Sequence, residues 1–229
     1  MPSDAKKPAA KPASSPVKTG YLILYNAVSA ALWLAVLVRT VTASASGADG
    51  YTTVYGTTGE FCKWTQTLAG MEVLHSLLGV VRAPFFTTFM QVFSRYAIVW
   101  GVTDLFPGIA RDSPAYASML LAWSTTEVIR YSYFALTLAA GGKPPAPLHW
   151  LRYHAFFVLY PVGISSEAWL IWRAVEPARD AVHPYYSTAL FLYVVAVYPP
   201  SAYILYTHMM TQRRKVMKAA KAQNQKATQ

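Results

Sequence analysis

The sequence predicts an all-α, polytopic membrane protein, a six-transmembrane-helix bundle. Three observations predict it. Hydrophobic residues make up 54% of the 229-residue chain and charged residues only 13%, about half the charged share of a soluble domain. The apolar residues gather into six runs of membrane-crossing length. The few charges fall mainly at the two ends and in short connections.

Residues 1–20 are rich in Lys, Pro, Ala and Ser, with no large apolar residue between Met1 and Val17. Such a segment buries too little apolar surface to order itself, so a disordered basic tail is expected. Tyr21–Val41 is the first span. Ala43-Ser44-Ala45 behind it has the form of a signal-peptide cleavage site, but the apolar run outlasts an h-region and contains Tyr25 and Asn26. A retained helix is therefore expected. Residues 42–62, rich in Gly, Ser, Thr and Ala, read as a loop. Trp64–Val81 is a more polar second span, and Arg82-Ala83-Pro84 a tight turn. Phe85–Asp104 is the third span, followed by a loop over residues 105–114 with Pro107, Gly108 and Pro114. Ala115–Ala140 is the fourth, and Gly141–Pro147 a Gly/Pro connector. Leu148–Arg173 is the fifth, and residues 174–184, with Pro177 and Pro184, a further loop. Tyr185–His208 is the sixth, interrupted at Pro199-Pro200. The membrane domain is thus residues 21–210, and residues 211–229 form a basic tail.

The formal net charge is +10, but its distribution does not suit nucleic acid. Lys6, Lys7, Lys11 and Lys18 precede the first run; Arg213, Arg214, Lys215, Lys218, Lys221 and Lys226 follow the last. Six spans place both termini on one side, and basic flanks make that side cytoplasmic. The lone Cys62 excludes an intrachain disulfide.

Polar residues inside the spans must face each other or a cavity, because lipid cannot satisfy them. Glu72 and His75 share a helix face, as do Glu127 and Arg130, which are spaced to neutralise each other. Such pairs serve equally as interhelical glue. Arg95 is central in its span. Arg152 lies one turn inside the fifth, where it either snorkels to the interface or meets a substrate. That fifth run, LHWLRYHAFFVLYPVGISSEAWLIWR, also holds Tyr160 and Glu167 around Pro161 and Gly163. Seven residues put the phenol and carboxylate on one face, ~10 Å apart along the axis. A bend at Pro161 and Gly163 is expected to bring them closer. A phenol and a carboxylate across one pocket are an acid/base pair. The depth of Glu167 suits a long acyl chain rather than a polar metabolite.

The runs Tyr21-Leu22-x-x-Tyr25-Asn26, MEVLHSLLGVVRAPFFTTFMQVFSRYAIVWG (Met71–Gly101), AWSTTEVIRYSYFA (Ala122–Ala135) and WLRYHAFFVLYPVGISSE (Trp150–Glu167) resemble the 3-hydroxyacyl-CoA dehydratases of very-long-chain fatty acid elongation, also called protein-tyrosine-phosphatase-like proteins. The resemblance covers most of residues 21–215. It implies a hydro-lyase of the endoplasmic reticulum membrane with six spans and no metal or organic cofactor. It implies that Tyr160 and Glu167 are catalytic and that Arg95, Arg152 and Gly163 support them, with Glu127 and Arg130 as further candidates. The implied substrate is a very-long-chain 3-hydroxyacyl-CoA; the implied partners are membrane lipid, an elongase, a 3-ketoacyl-CoA reductase and an enoyl-CoA reductase. In this reading Glu167 takes the C2 proton and Tyr160 protonates the departing C3 hydroxyl, or the roles exchange. Arg95 keeps Glu167 ionised or polarises the thioester carbonyl. The CoA phosphates stay near Arg82, Lys143, Arg152 and the Arg213–Lys218 cluster.

Phosphatase chemistry is excluded by the residues. A cysteine phosphatase needs His-Cys-x5-Arg with a thiolate nucleophile; the corresponding run, His75 to Arg82, has Ser76 in place of the cysteine. A C-terminal dilysine signal is also incomplete, since only Lys226 fits its spacing. A non-catalytic scaffold or lipid-binding partner of the elongation machinery is the alternative. A small transporter fits less well, because no internal repeat is evident.

Overall fold

The computed structural model describes residues 15–227, and every regular element among them is helical. α1 spans Pro16–Ser44. It starts before Tyr21 because Pro16 sits at the first helical position, where its missing N–H costs nothing. Residues 16–20 therefore belong to a helix rather than to the disordered tail expected over residues 1–20. Residues 1–14 of that tail lie outside the described residues, as do the last two residues of the C-terminal signal pattern.

The expected loop over residues 42–62 is the largest correction. α2 (Tyr51–Leu68) occupies much of it. Its threonines bond back to carbonyls three or four residues earlier: Thr53 to Gly50 at 2.8 Å, Thr57 to Thr53 at 2.9 Å and Thr67 to Lys63 at 2.8 Å. The hydroxyls that weaken helix propensity are thus satisfied inside the helix. Val54, Thr58, Cys62 and Gln66 are buried, so packing outweighs propensity. Only Ala45–Gly50 remain as the connection, and a Cβ at Gly50 would lie 2.5 Å from the Ser44 carbonyl oxygen. After an offset at Ala69 comes α3 (Gly70–Leu77), so the expected second span is two helices. At that offset the Tyr96 hydroxyl donates to the Thr67 carbonyl, and a Cβ at Gly70 would come within 2.5 Å of it.

α4 (Phe85–Tyr96) continues into a wide π-helical segment, Ala97–Thr103, closed by the Asp104 N–H on the Val99 carbonyl at 3.2 Å. A short α5 (Pro107–Arg111) occupies the expected 105–114 loop. α6 (Pro114–Ala139) starts on Ser113, whose hydroxyl accepts from the Ala115 N–H at 3.2 Å. It stops at Gly141 and Gly142, whose φ of 64° and 100° suit glycine. Gly142 N–H reaches the Thr137 carbonyl and Gly141 N–H that of Leu138, a Schellman stop.

α7 (Ala146–His154) and α8 (Phe156–Ala181) meet at a 45° bend at Ala155. The bend expected at Pro161 and Gly163 is therefore displaced, and both residues sit within α8. A proline ring crowds the carbonyl four residues earlier, here that of Phe157, so the chain yields on the N-terminal side. α8 also absorbs most of the expected 174–184 loop, including Pro177. α9 (Pro184–Leu192) leads through a second wide segment, Tyr193–Val197, into α10 (Tyr198–Ala227). The wide segment falls immediately before Pro199-Pro200, where two donors are missing. α10 then runs unbroken past residue 210, the expected edge of the membrane domain.

α6 is central, packing against α1 on one side and α8 on another; α2 flanks α1, and α9 flanks α8. Trp33, Val36, Met119, Leu120, Tyr131, Leu170 and Ile171 are fully buried. Asn26, Thr40, Gln66, His75 and Glu127 are also buried, whereas Leu24, Phe86, Val158 and Tyr203 are exposed. Polar groups inward and apolar groups outward is the distribution a bilayer demands. Pro16–Ser44 and Pro184–Ala219 are each long and apolar enough to cross a membrane, and the bent α7–α8 pair is a third if counted as one span. Among the described residues the chain is all-helical, and its candidate spans fit a membrane protein.

Candidate active site

The side chain on which the interior converges is Glu167, in the fourth turn of α8. Its Oε1 accepts from the Trp123 indole N–H at 2.7 Å and its Oε2 from the Tyr198 hydroxyl at 2.7 Å. Three helices, α6, α8 and α10, thus meet on one carboxylate. Donors on both oxygens compensate a charge that would otherwise be costly to bury. Each oxygen keeps a lone pair free, because an ionised carboxylate offers about four acceptor positions.

Gly163 lies one turn before Glu167 and faces α6. A Cβ there would stand 3.7 Å from Ala122 Cβ and 3.9 Å from both Trp123 Cδ1 and Glu167 Oε1. The bare backbone therefore leaves a slot beside the carboxylate. Ser118 and Ser166 hydrogen-bond across the same helix pair at 2.8 Å. Small residues let α6 and α8 approach closely, the usual device of membrane helix pairs.

Behind Trp123 lies a chain of alternating charges. The Arg95 guanidinium stacks on the Trp123 ring, 4.7 Å from its centroid. Its Nη1 pairs with Glu127 Oε1 at 2.5 Å and also reaches Gln66 Oε1 at 3.5 Å. Glu127 Oε2 pairs with Arg130 Nε at 2.6 Å. Arg130 then grips Glu72 with both terminal nitrogens, at 2.9 and 2.7 Å, and Tyr131 donates to the same carboxylate. Two carboxylates and two guanidiniums make the quartet neutral, and Glu127 at its centre is only 5% exposed. Arg95 reaches Glu167 through the Trp123 indole, with no hydrogen bond between the two.

Glu72 and His75, which share a helix face, take separate partners: Glu72 joins Arg130. His75 instead meets Tyr21, whose hydroxyl lies 2.7 Å from its Nε2, and packs edge-on to Tyr25. Arg152 stands apart from the quartet on α7, its guanidinium over Phe134 and Tyr133 at 4.5 and 4.7 Å.

Tyr160 is held separately from Glu167. Its hydroxyl donates to the Ala202 carbonyl at 3.1 Å and its ring stacks on Tyr206. Without a bend between them, seven residues separate the two groups by ~10 Å along α8. Their partners on α10 are closer: Tyr198 and Ala202 are four residues apart, ~6 Å along that axis. Tyr160 and Glu167 thus both hydrogen-bond to α10, at Ala202 and at Tyr198.

Trp123 and Tyr198, which hydrogen-bond to Glu167, are the candidate site residues that sequence reasoning passed over. Signals existed for both. Trp123 lies one turn before Glu127, on the face of the charged pair. Tyr198 stands directly before Pro199-Pro200, where a helix is obliged to change its geometry.

The chain matches the family model described as "Protein tyrosine phosphatase-like protein, PTPLA" over residues 66–219. It is 43% identical over 208 residues to a Schizosaccharomyces pombe protein named probable very-long-chain (3R)-3-hydroxyacyl-CoA dehydratase, covering 90% of this chain and 97% of the relative. An Arabidopsis thaliana protein, very-long-chain (3R)-3-hydroxyacyl-CoA dehydratase PASTICCINO 2, is 35% identical over 221 residues, with 90% and 97% covered. The Homo sapiens very-long-chain (3R)-3-hydroxyacyl-CoA dehydratase 2 is 34% identical over 215 residues, with 88% and 82% covered. No solved structure matches the chain.

Proposed function

The chain belongs to the protein tyrosine phosphatase-like family, and from that premise we propose that it dehydrates very-long-chain 3-hydroxyacyl-CoA to trans-2-enoyl-CoA in fatty acid elongation. The observation that carries this reading is Glu167, a carboxylate inside an apolar bundle, oriented by Trp123 and Tyr198, with a second phenol on the same helix.

The chemistry needs few groups. The thioester acidifies the C2 hydrogen, which Glu167 removes. The electron pair forms the C2–C3 double bond as the C3 hydroxyl leaves with a proton from Tyr160, giving water. The proton on Glu167 is then returned to the phenol. Atoms and electrons balance without an oxidant or reductant. General acid/base assistance of this kind contributes about 10²–10⁴-fold. Because C2 and C3 are adjacent, Tyr160 must leave the Ala202 carbonyl and turn along α10 toward Glu167 when substrate binds. Arg95 acts as a positioning residue through Trp123.

We place the protein in the endoplasmic reticulum membrane with six passes and both termini cytoplasmic, beside the elongase and the two reductases of the cycle. Basic flanks at both ends support this orientation.

The test is turnover of a long-chain 3-hydroxyacyl-CoA by purified protein in lipid nanodiscs. Tyr160→Phe and Glu167→Gln should each lower kcat by at least about 100-fold while the buried Cys62 stays protected from thiol reagents. Near-normal turnover in either variant overturns the assignment, and absence of turnover by the natural chain favours a scaffold.

A further inference from the structure

Each turnover leaves a proton on the Glu167 carboxyl and takes one from the Tyr160 phenol. The proton must cross back before the next substrate can react. The two groups stand ~10 Å apart along α8. Direct transfer needs heavy atoms about 2.6–3.2 Å apart, or one bridging group.

The hydrogen-bond partners at the two ends decide the route. Glu167 Oε1 faces the Trp123 indole N–H and Oε2 the Tyr198 hydroxyl, each at 2.7 Å. An indole N–H donates and cannot accept, so Trp123 cannot take a proton from the carboxyl. A phenol hydroxyl does both. Of the two groups bonded to Glu167 among the described residues, Tyr198 is therefore the one able to receive a proton and release another.

At the other end, Tyr160 donates to the Ala202 carbonyl at 3.1 Å. A carbonyl has no proton to give back. Once Tyr160 is a phenolate, two acceptors face each other, and the contact that held the phenol repels it. Tyr198 and Ala202 are four residues apart, so they share a face of α10 and lie ~6 Å apart along its axis. A phenolate leaving Ala202 toward Glu167 thus meets the Tyr198 hydroxyl on its way.

Tyr198 is held in place for this role. Its ring packs edge-on to Tyr193 at 5.8 Å. It follows the wide segment Tyr193–Val197 and directly precedes Pro199-Pro200, and wide turns of this kind recur at functional sites.

We infer that Tyr198 is a proton relay that resets the site between turnovers. The O–H bond on Glu167 Oε2 breaks as one forms on the Tyr198 oxygen. The original Tyr198 O–H bond breaks as one forms on the Tyr160 oxygen. One proton moves from carboxyl to phenolate, Tyr198 ends as it began, and no electrons change hands. The relay rests on the dehydratase reading, because only that reaction leaves the two groups in these protonation states.

The experiment measures dehydration of a long-chain 3-hydroxyacyl-CoA in nanodiscs in two ways. With protein in excess each molecule turns over once; with substrate in excess it must reset. The natural chain sets the reference ratio of the two rates, and each variant is assayed with Cys62 still protected from thiol reagents. Trp123→Phe removes a donor from Glu167 but no relay, so both rates should fall by one factor. Tyr198→Phe also removes a donor, but its steady-state rate should fall at least about tenfold further than its single-turnover rate. Imidazole, which both accepts and donates a proton, should raise the steady-state rate of Tyr198→Phe and leave that of Trp123→Phe unchanged. A ratio in Tyr198→Phe equal to the natural one overturns the relay and leaves Tyr198 as an orienting donor. Equal stimulation of both variants by imidazole overturns it too. A natural chain that forms no product even in a single turnover overturns the dehydratase reading and the relay with it.

Discussion

Replacing Glu127 by Gln should destabilise the bundle and disturb Glu167, which it reaches through Arg95 and Trp123. Glu127 is the central charge of the quartet, bonded to Arg95 at 2.5 Å and Arg130 at 2.6 Å. The variant leaves the quartet with a net charge of +1. Removing one partner of a buried pair costs about 3–5 kcal/mol. Two features reduce that figure: Arg130 keeps its two bonds to Glu72, and the Arg95 side chain is 25% exposed. A loss of about 2–3 kcal/mol is therefore expected, just below the range for a fully broken buried pair. The sole cysteine provides the assay. Cys62 is 1% exposed, so its labelling rate by a thiol reagent, followed through a denaturing detergent titration, reports unfolding directly. Arg95→Gln combined with Glu127→Gln restores neutrality. The double variant should be more stable than the sum of the singles implies, by about 1–3 kcal/mol. Additivity within about 0.5 kcal/mol would show that the two residues do not act as one network.

The other expectations concern the carboxylate and two glycines. Trp123→Phe keeps a ring beneath Arg95 but removes the donor to Glu167 Oε1, and Tyr198→Phe removes the donor to Oε2. A hydrogen bond to a charged group contributes about 1.5–3 kcal/mol, so each should lower kcat roughly 10–100-fold, measured by turnover in nanodiscs. Unchanged kcat in both would remove these residues from the site. Gly163→Ala should fold normally, because its Cβ would meet Ala122 Cβ at an ordinary 3.7 Å. It should gain up to about 1 kcal/mol in helix propensity, whereas Gly163→Leu should abolish turnover by filling the slot beside Glu167. Gly50→Ala should cost about 1–3 kcal/mol, as overpacking does, since its Cβ would lie 2.5 and 2.7 Å from the Ser44 and Ala43 carbonyl oxygens. Cys62 labelling measures both effects on stability.

Helix positions were legible where apolar runs were long. The fourth run, read as Ala115–Ala140, is α6, Pro114–Ala139. The sequence misled where helices are held by packing. Residues 51–62 look like a loop because Gly and Thr are poor helix formers, yet their buried face and back-bonded hydroxyls make them α2. The same limit applied to the site. Glu127 and Arg130 were readable as a pair from their spacing, but Arg95 and Glu72 join them from other helices at sequence distances that no local pattern encodes.

The sequence by itself determined that the chain is helical, that it belongs in a bilayer, and that Glu167 needs a reason to be inside. Those conclusions follow from composition and from the cost of a lone carboxylate in lipid, which depend on no partner. The tertiary structure alone decided what that carboxylate touches. Trp123 lies 44 residues before it and Tyr198 31 residues after it, and they meet only because α6, α8 and α10 pack together. It also moved the expected bend from Pro161 and Gly163 to Ala155, leaving Tyr160 and Glu167 in separate hydrogen bonds to α10, on the Ala202 carbonyl and the Tyr198 hydroxyl.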